Sequence, residues 1–244
     1  MKKKEQVQKP NIQEVTDIEV TPVEERNIVF KPNAGPQTDF LAAGEREVLY
    51  GGSAGGGKSY AMLADPLRYM GHPSFSGLLL RHTTEELREL IYKSKEIYPQ
   101  IWKGIKWSER KMQWEAPSGA RLWMSYLDRE DDVLRYQGLA FSWIGFDELT
   151  QWATPYAWNY MRSRLRSVAS DLPVYMRATT NPGGPGHQWV KKMFIDPAPY
   201  GRQFDATDIE SGNILSYPKG HTKSGQPLFK RRFIPARLSD NPYL

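Results

Sequence analysis

Gly51-Gly-Ser-Ala-Gly-Gly-Gly-Lys-Ser59 follows the short apolar run Glu47-Val-Leu-Tyr50, and its reading decides the fold. It matches the pattern G-x-x-x-x-G-K-[ST] with Gly52, Gly57, Lys58 and Ser59 in register. Glycines let successive backbone N–H groups turn inward around a polyphosphate, and the helix that follows adds the positive end of its dipole. The candidate phosphate-binding residues are therefore Gly52, Ser53, Ala54, Gly55, Gly56, Gly57, Lys58, Ser59 and Tyr60. Lys58 reaches the β- and γ-phosphates, and the Ser59 hydroxyl is a candidate ligand for Mg²⁺ bridging the same oxygens. Apolar residues before the loop and helix formers after it, Ser59-Tyr-Ala-Met-Leu-Ala64, argue against a merely flexible glycine-rich turn.

Working outward, the apolar runs end on polar residues. Gly77-Leu-Leu-Leu-Arg81 predicts a buried strand, with a helix from Thr84 to about Tyr98 after it. Residues 105–127 predict a β-hairpin around the turn Ala116-Pro-Ser-Gly119. Phe141-Ser-Trp-Ile-Gly-Phe146 ends at Asp147-Glu148, Val174-Tyr-Met-Arg-Ala178 ends at Thr179-Thr-Asn181, and Lys230–Arg237 reads as a last strand. Strands alternating with helices give an α/β fold with a mainly parallel central sheet, a β-hairpin insertion and function at the carboxyl ends of the strands. Residues 1–29 are polar, charged and interrupted by Pro10 and Pro22, which predicts a flexible N-terminal arm before an ordered domain over 30–244.

Composition bounds the rest. A chain of 244 residues accommodates one large domain. It has no cysteine, so disulfides and thiolate metal sites are excluded and a reducing compartment is expected. No apolar run reaches the length of a membrane span, which predicts a soluble cytoplasmic protein without membrane partners. The net charge is +5, modest enough to permit contact with nucleic acid without requiring it. The basic residues Lys191, Lys192 and Lys230–Arg232 are candidate DNA contacts or simply solvated surface.

Asp147 and Glu148 end an apolar strand 89 positions after Lys58, the arrangement of a Mg²⁺-holding Asp beside a water-activating Glu. Thr179, Thr180 and Asn181, at the next strand end, are placed to sense the γ-phosphate and pass its loss to a Pro/Gly-rich loop. Gln37, with Phe40 nearby, precedes the loop by a distance from which a carboxamide can read adenine, or it is a turn glutamine. Arg81, Arg129, Arg135, Arg162, Arg164 and Arg166 are candidates to stabilise transition-state charge. The run Met161-Arg-Ser-Arg-Leu-Arg166 is expected to spread its arginines around a helix.

Taken together, Gly51–Ser59, Leu78-Leu-Leu-Arg81, Arg135-Tyr-Gln-Gly138, Trp143-Ile-Gly-Phe-Asp-Glu148 and Thr179-Thr-Asn-Pro-Gly-Gly184 resemble the ATPase domain of tailed-bacteriophage terminase large subunits. The resemblance implies a P-loop NTPase of the ASCE, RecA/helicase-like type that uses ATP and Mg²⁺ to drive double-stranded DNA into a procapsid. It implies as partners the portal protein, the procapsid, the small terminase subunit and further copies of the chain in a ring. It implies a host-cytoplasmic setting and an arginine supplied by a neighbour, for which Arg135, Arg162 and Arg164 are the candidates. Two departures stand out: Ala54 occupies a loop position where many members carry arginine, and Gln137-Gly138 stands where several have Arg-Gly. The family's C-terminal nuclease is expected to be lacking here. A helicase-type translocase, a P-loop kinase and a nucleotide-gated assembly module share the loop; the first needs tandem motor folds and the second has little use for Glu148.

Overall fold

A computed structural model of the chain describes residues 28–53, 55, 57–199, 201–216 and 228–240. The arm expected over 1–29 lies, up to residue 27, outside the described residues, as do Ala54 and Gly56 of the loop.

Helix α1 (Pro36–Ala42) leads into strand β1 (Glu47–Gly52), and α2 (Lys58–Ala64) follows the loop. The helix expected to reach Met70 stops at Ala64, because Pro66 cannot donate to a continuing α-helix; a 3₁₀ segment, Asp65–Tyr69, takes over. β2 (Ser76–Arg81) precedes α3 (Thr84–Ile101), whose start is fixed by a capping box between Thr83 and Glu86. Then come β3 (Lys106–Ser108), β4 (Gln113–Glu115), β5 (Arg121–Tyr126), β6 (Trp143–Phe146), α4 (Tyr156–Arg162), β7 (Tyr175–Thr180), α5 (His187–Val190), β8 (Gln203–Asp205) and β9 (Lys230–Ala236).

All nine strands join one sheet in the order β3-β4-β5-β2-β6-β7-β1-β9-β8. The six from β5 to β9 run parallel, and the edges are antiparallel. The Pro-Ser-Gly turn does join β4 to β5, closed by Ala116 N–H donating to Ala120 O at 2.9 Å. The second strand of the hairpin, β5, also pairs with β2 in parallel and so extends the main sheet. Successive residues of β1 serve opposite faces: Val48 and Tyr50 pack with Phe40, Met62 and Trp143, whereas Leu49 packs with Ile144, Phe146 and Met176. This two-sided burial is what makes the central strands nearly all apolar. No helix among the described residues is long and apolar enough to cross a membrane.

Candidate nucleotide site

Because β6, β7 and β1 are neighbours and β2 flanks β6, the carboxyl ends of four parallel strands meet at one place. β1 delivers the loop. Gly52 adopts φ 139° so close to β9 that a Cβ would lie 1.9 Å from Ala236 O. Gly57 adopts the left-handed φ of 70° immediately before α2, where a Cβ would come within 2.6 Å of Gln37 Nε2. Only glycine fits these two positions. Ser53 N–H donates to Ala236 O at 3.1 Å, tying the loop to β9.

Lys58 is buried, and its ammonium donates to Ser53 O at 2.6 Å, across the mouth of the loop. Burial pushes its pKa down, and the carboxylates of Glu148 and Asp147 push it back up. The three charged groups therefore share one electrostatic environment. Asp147 is 2% exposed; one oxygen accepts from Thr179 Oγ1 and the other from Arg81 Nη1 at 2.5 Å. Each carboxylate oxygen has two acceptor sites, so both retain capacity for a metal ion. Among the described residues no group of three or more His, Asp or Glu side chains forms a metal cage. A Mg²⁺ carried on phosphates needs only one or two protein oxygens, and Ser59 with Asp147 fits that donor set.

Glu148 has φ 61°, a left-handed conformation that costs a side-chain-bearing residue about 1–2 kcal/mol. Its N–H donates to Thr179 Oγ1 at 3.0 Å, and its carboxylate accepts from Asn181 N–H at 3.2 Å and Asn181 Nδ2 at 2.5 Å. Burial raises its pKa and Asp147 raises it further, while Arg81 and Lys58 oppose the rise. Thr180 Oγ1 donates to Thr150 Oγ1 at 3.0 Å, so consecutive threonines of β7 grip both the acids and the segment after them.

The remaining candidates separate. Gln37 sits beneath the loop, with Nε2 donating to Gly57 O at 2.9 Å and Oε1 accepting from Asn33 N–H at 2.6 Å. Phe40 is a correction: it is fully buried, stacked 5.3 Å from Tyr50, and has no face for a base. Tyr60 is exposed beside the loop. Arg162 and Arg164 lie away from this chain's own loop. Helix α4 ends at Arg162, whose Nε donates to Glu47 Oε1 at 2.5 Å, and Glu47 opens β1 at the end opposite the loop. Arg164 O accepts from Phe141 N–H just before β6, so Arg164 also belongs to that far end, and its guanidinium lies over Tyr160. Arg135 is half exposed after β5, donating to Tyr126 O at 2.7 Å. Arg231, within a run of candidate DNA contacts, is 1% exposed and bound to Glu47. Arg81 is the arginine the site contains, 14% exposed between Asp147 and Glu86. Its signal was a polar residue ending an apolar strand, as at Asp147.

Fold and site together define a P-loop NTPase of the ASCE type: a parallel sheet with the loop, a strand-end acid pair and a polar strand end between them. The family model for phage terminase large subunits matches residues 45–217, and the chain belongs to that family. Solved structures of similar fold include the large terminase of a thermophilic bacteriophage in complex with ADP, at 17% identity and TM-score 0.60, covering 87% of this chain and 47% of that one. The same terminase with ATP-γ-S aligns at 17% identity and TM-score 0.57 over the same shares, 87% and 47%. A mutant ATPase domain of the Thermus phage P74-26 large terminase aligns at 14% identity and TM-score 0.53, covering 87% of this chain and 84% of that domain. The chain thus spans about half the length of the thermophilic-bacteriophage terminase, 47%. Among proteins of curated function, none matches the sequence.

Proposed function

We propose that this chain is the ATP-hydrolysing motor module of a terminase large subunit, coupling turnover to movement of double-stranded DNA into a procapsid in the host cytoplasm. The observation that carries the reading is the shared environment of Lys58, Asp147 and Glu148 below a glycine-built loop. The family membership supports it, as do the ADP and ATP-γ-S held by the thermophilic-bacteriophage terminase of the same fold. On this reading the loop N–H groups and Lys58 hold the β- and γ-phosphates, with Ser59 and Asp147 holding Mg²⁺. The ion supplies charge neutralisation at the phosphate oxygens when bound.

Glu148 orients the attacking water and accepts its proton. Asn181 Oδ1 is buried beside it and among the described residues has no hydrogen-bond partner, an acceptor suited to fixing the same water. Because Thr179 holds both Asp147 and Glu148 N–H, loss of the γ-phosphate is felt by β7 and passed on through Thr180 and Asn181. Arg81 acts as a positioning residue for Asp147. A neighbour's Arg135 completes the site in a homo-oligomeric ring docked on the portal, with the small terminase subunit as a further partner.

Steady-state ATP hydrolysis by the full chain and its Glu148→Gln variant, at low and high protein concentration with and without linear duplex DNA, tests this. Turnover that rises with concentration, responds to DNA and disappears in the variant is expected. Nucleotide binding without any Glu148-dependent turnover would overturn the motor and leave a nucleotide-gated assembly module.

A further inference from the structure

At the opposite end of the sheet from the phosphate loop lies a cleft of about 1340 Å³. It opens where β1, β7 and β9 begin, and among the described residues Arg46, Arg68, Arg166, Arg177 and Lys230 line it against a single lining acid, Glu45. Two of these guanidiniums are held by the protein itself. Arg177, 2% exposed, donates to Ala43 O at 2.6 Å and Glu45 O at 2.9 Å, and Arg68 binds the buried Asp65 at 2.8 Å. The other cations differ in their partners. Arg46 lies over the Phe229 ring at 4.7 Å, and Lys230 is paired with Asp205. Arg166 is exposed, and among the described residues its side chain makes no hydrogen bond or ion pair.

The cleft also holds an unmet donor. Tyr175 is 6% exposed and lines the cavity, and among the described residues its hydroxyl has no hydrogen-bond partner. A buried hydroxyl without an acceptor costs about 1–3 kcal/mol, which an incoming acceptor recovers. Burial, then the charge of Asp65, pushes this phenol well above its ordinary pKa, so it stays a donor. Arg177 Nε, ion-paired with Asp65 at 3.7 Å, likewise has no hydrogen-bond acceptor among the described residues. A cavity lined by cations and unmet N–H and O–H donors calls for an anion with several acceptor oxygens. The volume exceeds the roughly 300–1,000 Å³ of common small-molecule sites.

We propose that this cleft is a binding site for phosphate-bearing anions, separate from the nucleotide site and at the other end of the same sheet. Nucleic-acid backbone and free phosphates present the same chemistry, and the cleft recognises it through Arg166, Lys230 and Arg46 at its mouth with the Tyr175 hydroxyl inside. The inference goes beyond the ATPase reading and does not depend on turnover.

The test uses the full chain carrying Lys58→Ala, so that the phosphate loop does not contribute, and measures binding of a short fluorescent duplex by anisotropy and of inorganic pyrophosphate by calorimetry. Arg166→Glu should weaken binding about tenfold and make the duplex salt dependence shallower by about one counterion. Tyr175→Phe, which removes only a hydroxyl without a partner, should weaken it about fivefold, the worth of one hydrogen bond. Arg88→Glu, the same charge change on the exposed face of α3, should leave it within about twofold. This pattern with duplex alone identifies nucleic-acid backbone as the source, and with pyrophosphate alone a free phosphate; either supports the site. Equal effects of Arg166→Glu and Arg88→Glu, or displacement of both ligands by polyglutamate as readily as by phosphate, would overturn it. Because binding is measured without hydrolysis, its failure leaves the motor reading untouched, and failure of turnover leaves this one untouched.

Discussion

Glu47, fully buried, and Glu148, partly buried, stand at opposite ends of one sheet, and their surroundings drive their charges in opposite directions. Glu47 opens β1 with no exposed surface, and burial alone would raise its pKa. Arg162 and Arg231, donating to its two oxygens at 2.5 and 2.6 Å, outweigh that and bring it down to about 2. Glu148 follows β6 with another carboxylate beside it and no guanidinium donating to it, and its pKa is raised. The first arrangement spends its charge on holding β1, α4 and β9 together. The second leaves a carboxylate whose proton affinity suits exchange with water. What separates the structural acid from the proposed base here is chiefly the partner, since desolvation pushes the pKa of both upward.

The largest expected effect breaks the reactive member alone. Glu148→Gln should reduce ATP turnover by about a thousandfold, within the range for loss of a general base, in a steady-state assay. Its thermal midpoint should stay level or rise, because a neutral amide suits a site whose burial disfavours charge. A fall in midpoint alongside lost turnover would show that Glu148 is a structural acid as well, and the contrast with Glu47 would collapse.

Breaking the structural member should do the reverse. Glu47→Gln leaves the buried Arg231 and the partly buried Arg162 without their counter-charge and should cost about 3–5 kcal/mol in urea unfolding at neutral pH. Turnover per folded molecule should remain. The sign with pH follows from the lowered pKa: the unfolded chain holds the proton near the ordinary glutamate value of 4.5, the folded chain only near about 2. Stability from Glu47 is therefore complete above the first value and lost as pH falls toward the second, about 3 kcal/mol in all. The difference in stability between the parent chain and Glu47→Gln should shrink over that interval, read from urea midpoints.

The pH dependence of turnover sharpens the comparison from the other side. With its pKa raised, Glu148 takes up a proton on acidification before an ordinary glutamate does, so the acid limb of kcat/KM should lie above the ordinary value of 4.5. The same shift makes folded Glu148 bind more protons than the unfolded chain, so its stability contribution falls as pH rises, opposite in slope to that of Glu47. Arg81 opposes the rise, so Arg81→Met should move the acid limb further up and lower turnover at neutral pH, about tenfold. An acid limb at or below the ordinary value would remove Glu148 as the base.

How far these two ends could be read in advance depended on whether the partners are local. Gly52, Gly57, Lys58 and Ser59 lie within one loop, and Asp147 and Glu148 are adjacent, so spacing alone placed them. Gln37 was singled out, but its bond to Gly57 O depends on how α1 packs beneath the loop. Arg81 stood in a group of six arginines, and choosing it required the order β2-β6, which brings it beside Asp147 from 66 positions away. The place of Arg162 depends on the topology in the same way. A helix leaving the carboxyl end of β6 returns to the amino end before β7 begins, and its last residue meets Glu47, 115 positions earlier. Strand β8, three residues long, has no pattern of its own and exists by pairing with β9.

The smallest expected effect concerns the arginines still to be told apart. Arg164 caps nothing at the nucleotide end: its Nε donates to Ser163 Oγ at 3.0 Å and its guanidinium rests over Tyr160 at 5.4 Å, both exposed surroundings. Such contacts are worth about 0.5 kcal/mol or less, so Arg164→Ala should leave the thermal midpoint nearly unchanged. Turnover should also be unchanged at every protein concentration, because the side chain belongs to the end of the sheet where Glu47 lies. Arg135→Ala is the matched comparison, also on the surface and also resting on a tyrosine, Tyr126 at 5.6 Å, but beyond the carboxyl end of β5. If Arg135 completes a neighbour's site, its loss should lower turnover only at concentrations where copies associate. A concentration-dependent loss in Arg164→Ala instead would mean that the amino end of the sheet faces the neighbouring site in the ring, and the division between a structural and a reactive end would hold within one chain but not across the assembly.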